Sequence, residues 1–311
     1  MMVPIFPTST FRGGFGVAFK RIACIQRNTS NCHRCVLLKT CPYAYIFETT
    51  IPDNSTKLRN IKDIPRPYVI ENPFFSKKYI VPDEEIYLDV ILLGKAINYL
   101  PYFILAIQEL GRMGLGKDRG KFILEKVKVY KNDNEYDTVY TLESEAISNQ
   151  QNIIDLNYLA TKIKLSNVNE VTIMFQTPTK IRLNNQNISC PDFNHLFRAL
   201  IHRLSAISYF HCEKEPILDF VQLIEDSRSV ERHFSQVNWI EYSRFSTRQK
   251  SDLLMGGFIG EVSYKGMLNQ FLPFILLGEA VHVGKNCTFG FGKYQLLTIN
   301  RKQKNEEGVY E

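Results

Sequence analysis

Two short glycine loops, each ending in a lysine, are the residues whose spacing most directly suggests chemistry. They read Gly114-Leu115-Gly116-Lys117 and Gly290-Phe291-Gly292-Lys293 in a chain of 311 residues. Glycine lets backbone amides approach a phosphate closely, and lysine supplies a point charge. Because each loop follows a helical pattern, neither fits a Walker loop or a dinucleotide-binding fingerprint. Each therefore indicates either a phosphate site, with Arg119 beside the first loop, or a tight turn that needs positive φ.

A histidine precedes the second loop. His282 stands two residues before Gly284-Lys285. An imidazole there could reach a phosphate or a ribose hydroxyl, and histidine in general titrates near neutral pH, which suits proton transfer. The alternative is a half-buried histidine in the apolar run AVHV, which is the more common use of such a residue. The G-x-S-x-G, H-E-x-x-H and clustered-carboxylate patterns of serine hydrolases, zinc proteases and two-metal nucleases are missing from the sequence.

Four of the seven cysteines crowd near the start of the chain. Cys24, Cys32, Cys35 and Cys41 follow a C-x7-C-x2-C-x5-C spacing, with His33 inside it. A C-x2-C pair can place two thiolates on one ion, and four thiolates satisfy tetrahedral zinc or an iron–sulfur cluster. The alternative is a group of free thiols. In a metal site His33 could be a ligand, and otherwise it is a spacer between the cysteines.

A third group of residues lies in the stretch from Tyr242 to Lys250. It interleaves aromatic residues with three cations, Arg244, Arg248 and Lys250. Single-stranded RNA is held by base stacking and phosphate pairing of this kind. A solvated basic loop is the equally plain alternative.

The overall composition limits what class of protein can position these residues. The chain has 44% hydrophobic and 23% charged residues, a net charge of +6 and a pI near 8.8, which excludes a disordered chain. The apolar runs are too short to cross a membrane, and the N-terminus does not read as a signal peptide. Clustered cysteines in an odd total indicate a reducing cytoplasm.

The two halves of the sequence end alike. Residues 100–122 and 272–294 both read Leu-Pro-aromatic, an apolar helix, a glycine loop with lysine and a strand. Such a repeat suggests duplication of one unit, and strands that alternate with helices yet also pair in sequence favour α+β, tandem ferredoxin-like domains. We place them at residues 1–150, with the cysteine loop inserted at 24–42, and at residues 151–311.

Several elements can be assigned from their periodicity. Residues 193–210 carry apolar side chains at helical spacing, with Arg203 able to snorkel. Residues 268–277 indicate a second apolar helix. The segments VNWIEYSRFS and MGGFIGEVSY predict two neighbouring strands.

Together these segments resemble a known family. FRGGFG at Phe11, the C…C-x2-C…CPYAYIFE region, LLGKAINYLPYFILAIQELGRMGLG, YSRFSTRQ…GGFIG and HVGKNCTFGFGKY are similar to one branch of the CRISPR-associated pre-crRNA-processing endoribonucleases of the RAMP superfamily. The resemblance spans almost the whole chain. It implies tandem ferredoxin-like, RNA-recognition-motif-like domains with a C-terminal glycine-rich loop. Because only about ten residues precede FRGGFG here, the first strand of the first domain is expected to be short or missing.

The resemblance also implies a reaction and a role in antiviral defence. The upstream 2′-hydroxyl would attack the adjacent phosphate without a catalytic metal, leaving a 2′,3′-cyclic phosphate and a 5′-hydroxyl. We assign His282 as acid or base, Lys285 or Lys293 as the cation on the phosphate, and His33 as the reserve. RNA backbone would lie on the glycine loops, including Gly284. The expected partners are CRISPR repeat RNA and other CRISPR effector subunits, with the protein a monomer or homodimer.

Two other functions remain open at this point. A non-catalytic RAMP scaffold would bind CRISPR RNA within an effector complex without cutting it. A metal-bearing regulator would use the cysteines but would leave both glycine loops unexplained.

Overall fold

The protein forms two compact units. The computed structural model describes residues 8–26, 31–51, 64–71, 79–132, 135–148, 152–162, 168–212, 219–246 and 251–301. The first unit comprises Met1–Ile153 together with Ala206–Glu215 and Thr288–Gly290, and the second comprises Ile154–Ser205, Pro216–Cys287 and Phe291–Glu311. Both contain helices and antiparallel strands, which confirms the predicted α+β class.

Residues 8–153 of the first unit carry three α-helices, two short 3-10 helices (Cys32–Arg34 and Gly94–Tyr99) and four strands in their described part. The α-helices and strands are α1 (Thr8–Ala23), α2 (Pro42–Phe47), β1 (Tyr68–Glu71), β2 (Asp89–Leu92), α3 (Leu100–Met113), β3 (Lys126–Asn132) and β4 (Glu135–Thr141). β1 pairs with β2 and β3 with β4, both antiparallel. The predicted short first strand would fall in residues 1–7, outside the described part of the chain.

An aromatic cluster forms the core of the first unit. Phe15 on α1 lies 5.2 Å from Phe103 on α3, measured between ring centroids, and Phe19 lies 5.4 Å from Phe47 on α2. All four rings are buried, as is Tyr68 on β1. These contacts fix α1 against α3 and place the FRGG segment at the edge of this core.

The second unit has ferredoxin-like topology. Its elements are α4 (Leu156–Lys162), β5 (Val168–Thr179), β6 (Ile181–Leu183), β7 (Gln186–Ile188), α5 (Phe193–His211), α6 (Phe220–Asp226), β8 (Glu231–Ser246), β9 (Ser251–Lys265), α7 (Leu272–Val281) and β10 (Tyr294–Arg301). β5, β8, β9 and β10 form one antiparallel sheet in the order β10-β5-β9-β8. With α5 after β5 and α7 before β10, this is the predicted β-α-β-β-α-β arrangement, with the β6–β7 hairpin inserted after the first strand.

Both helices against this sheet are held by aromatic packing. Phe271, just before α7, lies 5.1 Å from Phe193 and 4.8 Å from Phe197 on α5. The helix predicted over residues 193–210 is confirmed as α5. The helix predicted over residues 268–277 begins later, at Leu272, because Pro273 occupies its first turn, where a missing amide costs nothing.

The two neighbouring strands predicted from the sequence are β8 and β9. They pair from Glu231 opposite Lys265 to Ser246 opposite Ser251, with one register shift between Arg232 and Phe234. The partner strand β5 accompanies β9 only as far as Phe258, so the remainder of the hairpin continues as a two-stranded ribbon. In the described part of the chain, no helix combines the length and apolar character needed to cross a bilayer.

Candidate functional site

The second glycine loop links α7 to β10. It leaves the helix at His282, whose φ of 63° is left-handed, and then passes through three glycines with positive φ, Gly284 (87°), Gly290 (77°) and Gly292 (71°). A side chain at Gly292 would meet the carbonyl of Val283. The glycines are therefore required by the turn itself, as the conformational interpretation of the sequence expects.

Backbone amides of this loop donate to protein acceptors, and Val283 N donates to Gly292 O within the loop at 3.0 Å. Lys285 N donates to Lys180 O at 3.0 Å, Gly292 N to Pro178 O at 3.1 Å, and Lys293 N to Thr177 Oγ1 at 2.9 Å. These amides are already used, so they are not open to a phosphate. Of the lysine side chains of this loop, Lys285 is exposed, whereas Lys293 is half-buried.

His282 and Phe291 lie inside the protein rather than on its surface. The imidazole of His282 is fully buried, and its Nδ1 lies 2.9 Å from the carbonyl oxygen of Phe291, to which it donates. The ring of Phe291 is 1% exposed. A buried imidazole bonded across the loop holds the loop closed, and this geometry does not offer it to an RNA hydroxyl.

The glycines of the first loop have backbone φ values close to those of the second. Gly114 and Gly116 have φ values of 78° and 77°, close to those of Gly290 and Gly292. Leu115 and Gly120 exchange two backbone hydrogen bonds of 2.9 and 3.0 Å across the turn. The side chains of Lys117 and Arg119 are exposed. The sequence repeat thus corresponds to a repeated turn geometry.

The described residues show no metal-ligating group at the four N-terminal cysteines. Cys24, Cys32, Cys35 and Cys41 are free thiols, and the described residues contain no group of three or more metal-ligating side chains close enough to hold an ion. Burial raises the pKa of Cys32, which the charge of Lys20 opposes. The zinc or iron–sulfur expectation therefore has no support in this geometry.

The remaining predicted site residues are dispersed. His33, within a short turn after Asn31, is exposed, and its backbone amide donates to Asn31 Oδ1 at 3.0 Å. Arg244 stands on β8 opposite Leu253. Arg248 and Lys250 lie outside the described residues.

A polar group at the start of α1 was missed from the sequence. The guanidinium of Arg12 lies 4.6 Å from the ring centroid of Phe289 and 5.9 Å from that of Phe47. Thr8 Oγ1 and Arg12 Nε are buried without a hydrogen-bond partner among the described residues. Burial raises the pKa of Tyr68 nearby, against the charge of Arg12. Arg12 in the FRGG segment is the sequence feature that could have indicated this group.

A second missed group lies on α5 beside the glycine loop. Arg203, interpreted from the sequence as a snorkelling side chain, is 7% exposed, and its Nε donates to Val281 O at 2.7 Å. Its Nη2 is buried with no partner in the described structure. His202 next to it is exposed, and partial burial together with the charges of Lys285 and Arg198 lowers its pKa.

Two segments of the chain match known protein families. Residues 173–294 match the family model of the CRISPR-associated endoribonuclease Cas6, and residues 1–152 match a model described as an N-terminal domain. An uncharacterised protein of Archaeoglobus fulgidus is 29% identical over 113 residues, which is 36% of this chain. That matched segment spans 37% of the length of this curated relative.

Two solved structures are similar over nearly the whole chain. A Cas6 product complex has a TM-score of 0.53 at 14% identity, with 96% of this chain and 95% of that one covered. Thermus thermophilus Cas6 has a TM-score of 0.49 at 12% identity, with 95% and 93% covered. The first of these supports the tandem ferredoxin-like fold. The Cas6 match over residues 173–294 includes α5, β8, β9, α7 and the second glycine loop, and this part of the chain is similar to the CRISPR-associated endoribonucleases.

Proposed function

We propose that this protein cleaves CRISPR repeat RNA into mature guide RNA. The observation that carries the proposal is the Cas6 domain match over residues 173–294, which coincides with the unit whose glycine loop displays Lys285. The resemblance found in the sequence adds the reaction, which is metal-independent. The 2′-oxygen forms a bond to the adjacent phosphorus as its proton passes to a base. The bond from phosphorus to the 5′-oxygen breaks, and that oxygen takes up a proton.

In this proposal Lys285 contacts substrate. Its exposed ammonium stands on a loop whose path is fixed by the hydrogen bond from Lys285 N to Lys180 O. A cation held in place stabilises the charge that builds on phosphate in the transition state. Lys293, half-buried after the glycines, would be the second cation on the loop.

His282 takes a positioning role instead of the acid–base role expected from the sequence. Its burial and its bond to Phe291 O support the loop from below. Of the two histidines named from the sequence, His33 alone has an exposed imidazole, so His33 stands as the acid–base candidate of that pair.

A second contact with RNA is proposed at the start of α1. Arg12 stacks on two aromatic rings there, and Thr8 Oγ1 and Arg12 Nε have no partner among the described residues. A planar guanidinium donates well to phosphate, and the N-terminus of a helix favours an anion. Arg12 is thus a candidate phosphate ligand of the first unit.

The alternative is a scaffold that binds CRISPR RNA without cutting it. The burial of His282 is the observation that favours this alternative, because it removes the best sequence candidate for proton transfer. Other CRISPR proteins are proposed as partners in either case.

One assay separates the two functions. Labelled repeat RNA is incubated with the protein in EDTA, beside RNA that carries a single 2′-deoxy sugar at the scissile position. Cutting in EDTA that the deoxy substitution abolishes supports the enzyme. Tight binding without cutting supports the scaffold, and an absence of binding at low salt contradicts both.

A further inference from the structure

The face of α5 beside the glycine loop carries Arg198 and His202, and Arg198 forms no ion pair with a carboxylate in the described part of the chain. Arg198 and His202 are one helical turn apart, at i and i+4, so they share a face, and both are exposed. Lys285 of the loop is near enough to act electrostatically on His202, as is Arg198. We call Arg198, His202, Arg203 and Lys285 the α5 cluster.

Arg203 is the most informative member of the α5 cluster. It is 93% buried, since only 7% of it is exposed, yet it forms no ion pair in the described structure. One nitrogen donates to Val281 O, and another, Nη2, has no partner among the described residues. The buried charge of Arg203 adds to the positive potential of this face, although the guanidinium itself does not reach the surface.

Two carboxylates, Asp192 and Glu231, line the same cavity as Arg198, and Asp192 already forms ion pairs elsewhere. Asp192, just before the helix, lies 3.3 Å from Arg232 and 3.6 Å from His195. It therefore does not neutralise the α5 cluster. The remaining charge is suited to phosphate groups spaced along a strand, because guanidinium binds phosphate in a bidentate manner and lysine adds a point charge.

We propose that the α5 cluster is an RNA-backbone site that continues the glycine loop onto helix α5. The inference rests on the proposed function for its ligand, and it adds Arg198 and His202 to the residues that contact RNA phosphates. The site binds RNA independently of its base sequence, because phosphate contacts position a strand without specifying bases. It would hold the RNA whether or not the RNA is cut.

The test measures binding and cutting separately. The variant Arg198→Gln/His202→Gln changes only exposed members of the cluster. Affinity is measured by fluorescence anisotropy over a range of salt, with labelled repeat RNA and an oligouridylate of equal length. We expect affinity to fall about tenfold. The slope of log K against log salt should become shallower by about 0.7 for each single-strand phosphate that the variant no longer neutralises.

A matched control keeps the result specific. Lys265→Gln removes one cation from the end of β9, where Glu170 lies 3.9 Å from it, and is expected to leave affinity and slope unchanged. Arg198→Lys keeps the charge and should recover part of the affinity. Unchanged binding of the double variant, or an equal fall in affinity in the control, overturns the proposal. Melting temperatures of all variants exclude misfolding.

The outcomes also separate this proposal from the proposed function. A wild-type protein that binds both RNAs through the α5 cluster but never cuts the repeat would refute the enzyme and leave the cluster standing. A wild-type protein that cuts the repeat while the double variant binds normally would refute the cluster alone. Failure of the wild type to bind either RNA would contradict both.

Discussion

Lys285 and His282 are three residues apart but stand in opposite environments. The ammonium of Lys285 is exposed on the loop, whereas the imidazole of His282 is fully buried and bonded to Phe291 O. The sequence named both as site residues, since residue type and spacing alone do not report burial. The backbone after α7 determines the burial of His282, because its left-handed φ turns the side chain inward.

The role of His282 can be tested by substitution. We expect His282→Ala to lower the free energy of unfolding by about 1–3 kcal/mol, because the buried carbonyl of Phe291 loses its donor. His282→Asn is the milder control, since asparagine tolerates left-handed φ and keeps a donor. Chemical denaturation and single-turnover cleavage are measured together. A variant as stable as the wild type that cuts at least a hundredfold more slowly would restore the catalytic assignment.

His202 predicts a pH dependence of stability. Partial burial, Lys285 and Arg198 lower its pKa in the folded state, so the unfolded chain binds a proton more readily. Stability is then fully present above the unfolded pKa of about 6.5 and is lost as pH falls below it.

Denaturation between pH 7.5 and 5.5 measures this effect. We expect His202→Gln to lose less stability than the wild type over that range. Because His202 is exposed, screening by solvent keeps the difference below about 1 kcal/mol. His33→Gln, at an exposed histidine outside the α5 cluster, is the control, and identical pH profiles for wild type and His202→Gln would refute the prediction.

At the scale of the elements, helix α7 depends on a glycine in its interior. A side chain at Gly278 would meet the hydroxyl of Tyr294, which donates to Ile275 O at 2.6 Å, and the Leu200 side chain at 2.8 Å. Both neighbours are buried, so neither can move aside freely. The close contact between α7, α5 and β10 therefore requires glycine here.

Two helical glycines provide a matched comparison. We expect Gly278→Ala to destabilise the protein by about 1–3 kcal/mol through overpacking. Gly13→Ala in α1, where no atom lies within 4 Å of the new methyl group, should instead raise stability by up to about 1 kcal/mol through helix propensity. Thermal unfolding of the two variants gives the answer. A Gly278→Ala protein as stable as Gly13→Ala would show that α7 repacks.

The sequence was sufficient for elements with a strong local signal. Helix α5 follows from its apolar periodicity, and β8 and β9 follow from their β-forming composition. It was not sufficient for the start of α7, which depends on where Pro273 can be accommodated. It also did not predict that the loop amides donate to Thr177, Pro178 and Lys180, which lie on β5 and just before β6. Those contacts are long-range and leave no local pattern. The same holds for Arg203, whose burial depends on Val281.

At the scale of the whole molecule, stability is expected to come from two aromatic cores. Phe15, Phe19, Phe47 and Phe103 supply one, and Phe193, Phe197 and Phe271 supply the other. In the described part of the chain, no group of three or more metal-ligating side chains is found beside these cores.

A chelator distinguishes these sources of stability. We expect EDTA or phenanthroline to leave the melting temperature unchanged, whereas Phe197→Ala lowers the free energy of unfolding by about 3–5 kcal/mol. If the chelator releases zinc in proportion to protein and also lowers the melting temperature, the prediction is wrong. The cysteines would then form the metal site that their spacing indicates.

The buried thiol of Cys287 makes the glycine loop observable. It is 3% exposed, donates to Gly284 O at 3.4 Å, and burial raises its pKa, so a thiol reagent reaches it as a reactive thiolate only when the loop opens. Its alkylation rate, followed by peptide mass spectrometry, thus measures how often the loop opens. Cys212, which is exposed, supplies an internal reference within the same chain. Protection of Cys287 by added RNA would report occupancy of the loop without any label on either molecule.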